Sequence, residues 1–132
     1  MQLLNDNTKE YVTMNFKIYA IDYDGTIDFA GFPNVGKILP EAIDAIKYLQ
    51  NKGDKIILWT CRDNDYLKSA IDCMKNLGIT FDAVNENLPE VKELGFSSPK
   101  ILANVYIDDV ANGRHTALDM REIFMNILSG EL

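Results

Sequence analysis

Apolar residues in this chain fall into short continuous runs that alternate with longer stretches where they recur every three or four positions. The runs Lys17 to Ile21, Lys55 to Trp59, Phe81 to Val84 and Val105 to Ile107 have the length and β-branched character of buried strands. Between them the period is helical. Pro40 to Lys52 carries Ala42, Ile43, Ile46 and Leu49 on one face, with Pro40 suited to the first helical position and Gly53 to the C′ position. Asn64 or Asp65 can cap a second helix whose face is Leu67, Ala70, Ile71, Met74 and Leu77, ended by Gly78. Leu88 to Leu94 predicts a short helix starting at Pro89. A last amphipathic helix carries Leu118, Ile123, Phe124, Ile127 and Leu128.

Strands separated by helices predict one α/β domain over residues 1–132: a single, doubly wound, mainly parallel sheet with helices on both faces. Residues 1–15 lie outside this alternation. Their first thirteen residues are either a dispensable extension or an edge element. In such sheets a site forms beyond the carboxyl ends of the strands. Asp22, Asp24, Thr60, Asp108 and Asp109 all fall at those ends.

The residue types there point to chemistry. Asp22-Tyr23-Asp24-Gly25-Thr26 puts two carboxylates one residue apart at a strand tip, and Asp108-Asp109 ends another strand. Burying such groups unpaired costs several kcal/mol each, roughly, and a cation or a proton-transfer role offsets that cost. Two acidic strand ends predict one oxygen-lined Mg²⁺ site, since this ion combines carboxylates with retained waters and substrate phosphate. Asp22 is placed to attack phosphorus, and Asp24 to protonate the leaving oxygen and then activate water. The Thr60 hydroxyl can bind a phosphoryl oxygen, and a lysine should balance the remaining charge.

This set in this order resembles the haloacid dehalogenase (HAD) superfamily of Mg²⁺-dependent phosphohydrolases, over about Lys17 to Asn112. The resemblance implies Asp22 as nucleophile, Asp24 as general acid/base and an aspartyl-phosphate intermediate. It implies Mg²⁺ held by Asp22, the Asp24 backbone carbonyl, Asp108 and Asp109. Gly25, Thr26, Cys61 and Arg62 are the candidates to bind the substrate's phosphate. Arg62 stands equally for a pairing with a neighbouring carboxylate. Lys100, eight residues before Asp108, is the preferred motif lysine, with Lys92 as the alternative. The stretches Ile27 to Leu39 and Asn85 to Asn104 are too short for a cap domain, so the chain looks like a capless member with an open site.

Plainer readings stand beside these. Asp22 and Asp24 could be solvated turn residues, Thr60 a strand-end hydroxyl and Asp108-Asp109 a helix cap. Asn85-Glu86-Asn87 either lines the site or makes a turn. Trp59 and Tyr106 read as core, and His115 as a surface or first-turn residue. A receiver-like phosphoacceptor domain uses similar residues, but its acidic pair ends the first strand. A phosphate-binding or scaffolding module is the remaining alternative.

Composition narrows the partners. Of 132 residues, 20 are Asp or Glu and 13 Lys or Arg, a net charge of −7, which argues against nucleic acid and leaves a small phosphorylated substrate and a homo-oligomer. No apolar segment reaches the ~18 residues of a membrane span, and Met1 to Asn15 lacks the pattern of a signal peptide. Cys61 and Cys73 make no disulfide framework, so a cytoplasmic enzyme is expected.

Overall fold

A computed structural model describes residues 1–96, 100–109 and 116–131; His115 lies outside them. The chain order is β1 (Gln2–Leu4), β2 (Tyr11–Thr13), β3 (Ile18–Ile21), α1 (Pro40–Asn51), β4 (Lys55–Leu58), α2 (Asn64–Asn76), β5 (Ala83–Val84), α3 (Pro89–Lys92), β6 (Val105–Ile107) and α4 (Ala117–Leu128).

Four strands form a parallel sheet in the order β5-β4-β3-β6. All four residues of β3 are buried, as expected for a central strand covered on both faces. Alternation along β3 and β4 divides the core in two. Tyr19, Ile21, Ile56 and Leu58 face Ala42, Ile46 and Leu49 of α1, Ala70 and Met74 of α2, and Met120, Phe124 and Ile127 of α4. Ile18, Ala20 and Ile57 face the other way, toward Leu3 of β1, Leu88, Val91 of α3 and Ile101.

The expected single sheet is therefore corrected. β1 and β2 form a second, antiparallel sheet, with Leu3 opposite Val12. Its turn is built by Asn5, whose Oδ1 accepts from the Asn7 and Thr8 amides. The hairpin docks beside α3: the Asp6 amide donates to Leu94 O at 2.8 Å and Asn7 Nδ2 to Glu93 O at 3.3 Å. So the three long helices share one face, while the opposite face is covered by the hairpin and one turn of helix.

Smaller expectations shift too. The N-cap of α2 is Asp63, without a side-chain capping bond, in place of Asn64 or Asp65. On α4 the buried stripe is Met120, Phe124 and Ile127, spaced four and three apart. Leu118 is 71% exposed and outside it. The Thr116 hydroxyl caps this helix by accepting from the Asp119 amide at 3.1 Å. Trp59 and Tyr106 are half-buried and meet edge-on at 5.5 Å.

Candidate active site

The sheet reverses its winding at β3, whose neighbours are β4, next in sequence, and β6, the sheet's last strand. That switch point is where open α/β sheets leave a crevice. Ile21 pairs with Ile107, and the ladder runs one step further as the Asp22 amide donates to Ile107 O at 2.9 Å. The register therefore sets Asp22 beside Asp108. One carboxylate oxygen from each of Asp22, Asp108 and Asp109 can lie within 4.8 Å of the others, and all three residues are half-buried. The Asp22 carboxyl is pushed up to about 7. Burial is the main cause, the Tyr23 backbone hydrogen bond opposes it, and repulsion from Asp108, Asp109 and Asp24 adds to it. Three carboxylates held this close form a set of hard oxygen donors that a small divalent cation fits, because its charge offsets their repulsion.

Gly25 and Thr26 frame this cluster. Gly25 has φ +76°, and a Cβ there would stand 2.8 Å from Asp109 Oδ2, so the position needs glycine for both its backbone and its space. Thr26 is fully buried and its hydroxyl accepts from the Asp109 amide at 3.2 Å. It fastens the tip of β6 to the turn after β3.

Asp24 points into a different environment. Arg62 Nε donates to Asp24 Oδ2 at 2.8 Å and Nη2 to Oδ1 at 2.7 Å, a bidentate pair. The Arg62 side chain is 1% exposed, that of Asp24 30%. Arg62 also donates to the carbonyls of Pro33, Asn34 and Tyr66, and its guanidinium lies 5.1 Å from the Tyr23 ring centroid and 5.2 Å from that of Phe32. The expectation that Arg62 binds substrate phosphate gives way to the alternative, a pairing with a neighbouring carboxylate: a buried guanidinium with these partners has none to spare. Asp24 holds Arg62's charge above all by hydrogen bonding, which raises an already basic group further.

No family model and no curated protein matches the chain. A solved structure described as that of a conserved protein coded by a locus of Bacteroides thetaiotaomicron is 33% identical, with a TM-score of 0.73. The match covers 89% of this chain and 94% of that one. The chain belongs to the family of that conserved protein.

In this member of the family the tips of β4 and β5 are joined by side chains. The Thr60 hydroxyl accepts from the Arg62 amide at 3.1 Å, and the Thr60 amide donates to Asn85 Oδ1 at 2.8 Å. Cys61, between Thr60 and Arg62, is exposed and free. Glu86 pairs with Lys92 at 2.7 Å. Asn87 is buried and bridges to the following segment, donating to Lys100 O and accepting from the Leu102 amide. Lys100 is exposed and its backbone is thereby pinned. From there the chain descends to Asn104, which exchanges two hydrogen bonds with Ile18 at the foot of β3. β6 then climbs back to Asp108, so Lys100 and Asp108 each stand four residues from Asn104.

Sequence reasoning passed over Asp28. It is buried and accepts from Tyr23 Oη at 2.6 Å and from the Ala30, Gly36 and Lys37 amides. Burial alone would raise its carboxyl, but these four hydrogen bonds outweigh it and hold the group below its ordinary value. Asp28 thus ties down the loop 29–37. An Asp entering a segment with Gly31, Pro33, Asn34 and Gly36 is a turn signal that could have revealed it.

Proposed function

We propose that the chain is a HAD-type, Mg²⁺-dependent phosphomonoester hydrolase. The observation that carries the reading is the convergence of Asp22, Asp108 and Asp109 at the switch point of a parallel sheet, with Asp24 two residues beyond Asp22. Asp22 attacks the phosphorus and the ester oxygen leaves with a proton from Asp24, giving an aspartyl-phosphate and a free alcohol. Asp24 then takes a proton from water as that water attacks the same phosphorus, releasing inorganic phosphate and restoring Asp22. Asp22, Asp108 and Asp109 would hold Mg²⁺, whose charge keeps Asp22 ionised and offsets that of the phosphoryl group. Asp24 gives up one Arg62 contact to reach the leaving oxygen, while the other keeps the carboxyl oriented. Lys100 adds positive charge. Free Cys61 and Cys73 suit a reducing, cytoplasmic setting. Among the described residues no helix is long and apolar enough to cross a membrane.

The test is release of phosphate from a panel of small phosphomonoesters with and without Mg²⁺. Turnover should require the ion, vanish in Asp22→Asn, and fall by about 10²-fold or more in Asp24→Asn. Undiminished turnover in Asp22→Asn would rule out the mechanism. A second reading, a phosphate-binding or scaffolding module, is favoured by one observation: both Asp24 oxygens are occupied by Arg62. It predicts phosphate binding without turnover.

A further inference from the structure

We propose that Phe32 and Tyr66 are a stacking platform for the base of a nucleoside monophosphate, and so set the substrate class. This rests on the hydrolase reading above. In that reaction Asp24 protonates the leaving oxygen, so the leaving alcohol lies beside Asp24. Arg62 connects that point directly to the Phe32 ring, and through it to Tyr66. It holds Asp24 at 2.7 and 2.8 Å, and its guanidinium carbon lies 5.2 Å from the Phe32 centroid. Phe32 in turn meets Tyr66 at 5.0 Å, with ring planes 59° apart.

Both rings face water: Phe32 is 57% exposed and Tyr66 49%. A single exposed apolar residue is ordinary. A pair of exposed rings in mutual contact, one guanidinium away from the acid of the reaction, is a surface that a ligand can use. It is also built in advance. Asp28 fixes the loop carrying Phe32 through the Ala30, Gly36 and Lys37 amides. Arg62 draws together the carbonyls of Pro33 and Asn34 on that loop and of Tyr66 on α2. A ligand that stacks there does not have to order the loop first, which conserves affinity.

The spacing selects among esters. The guanidinium stands between Asp24 and Phe32, so a ring bonded directly to the ester oxygen stops short of the platform. A ring carried one sugar away extends past the guanidinium toward it. Stacking needs only a π face, so it supplies affinity on a chain of net charge −7 without basic residues.

The experiment compares AMP with ribose 5-phosphate, the same ester without the base, in Mg²⁺. KM for AMP should be lower by about tenfold or more, the scale of one base–aromatic stack. Phe32→Leu and, separately, Tyr66→Leu keep an apolar side chain but remove the ring, and each should bring the ratio of the two KM values toward one. Calorimetric titration of both compounds into Asp22→Asn with Mg²⁺ should show the same preference in Kd. Equal KM or Kd values for the two compounds, or a preference that survives both Leu variants, would overturn the platform. If neither ester is hydrolysed while AMP still binds more tightly than ribose 5-phosphate, the hydrolase reading fails and the platform stands.

Discussion

Replacing Arg62 by Met keeps the aliphatic stem and removes the guanidinium. Five side-chain hydrogen bonds disappear, two of them to the Asp24 carboxylate and three to carbonyls. Removing one partner of a buried ion pair costs about 3–5 kcal/mol. Asp24 is 30% exposed, so water can resolvate it, and the lower end of that range, about 3 kcal/mol, applies. At about 4 °C per kcal/mol for a chain of this size, Tm should fall by about 12 °C. Thermal unfolding followed by circular dichroism measures it. Asp24→Asn alone should cost less, because Arg62 keeps its three carbonyl partners. The double variant should cost less than the sum of the two singles, since the pair is broken only once. A fall in Tm below about 3 °C for Arg62→Met, or strictly additive costs, would refute the reasoning that this guanidinium organises Asp24 and the loop 29–37.

Gly25→Ala should weaken Mg²⁺ binding and turnover together, because its Cβ would stand 2.8 Å from Asp109 Oδ2 and the backbone there has φ +76°; isothermal titration with Mg²⁺ checks it. Asp28→Asn should be less stable than the parent at neutral pH. The folded Asp28 carboxyl lies below its ordinary value, so its contribution is present above the unfolded pKa of about 4 and is lost as pH falls through the folded value. Denaturant titrations of parent and variant should therefore converge in acid and separate above about pH 4. Lys100→Ala should slow turnover by about 10²-fold or more. Lys92→Ala should leave turnover and Tm nearly unchanged, because its pairing with Glu86 is solvent-exposed and worth little; steady-state kinetics on both variants decides.

What could be read from the chain was what local pattern encodes. The parallel strands and the carboxylates at their tips follow from apolar runs ended by acids, and Pro40 and Gly53 bound α1 as their backbone chemistry requires. The antiparallel hairpin was not legible, because three-residue strands carry too little alternation and Leu3 joins a core cluster whose other buried residues are distant in sequence, from Ile18 to Ile101. The stripe of α4 was misread because Leu118 and Met120 both fit a helical period, and only packing against α1 chooses between them. Arg62 posed the same difficulty at the site. Its partner Asp24 is 38 residues earlier, and two of its three carbonyl partners, Pro33 and Asn34, sit in a loop with no periodic signal.

The position of β6 has a consequence for the order of folding. β3 is the earliest strand of the parallel sheet to be synthesised, yet one of its two edges stays open until β6 is made, and the bond from Ile18 to Asn104 spans 86 residues. β3, α1, β4, α2 and β5 can collapse as a sequential unit with Asp22 already at a strand tip. Asp108 and Asp109 arrive only with the closing strand, at the greatest entropic distance. The cluster of Asp22, Asp108 and Asp109 is thus completed only when β6 docks, and an ion bound there would act as a latch on that strand. Such an ion would add little to the partly folded chain and would slow the detachment of β6.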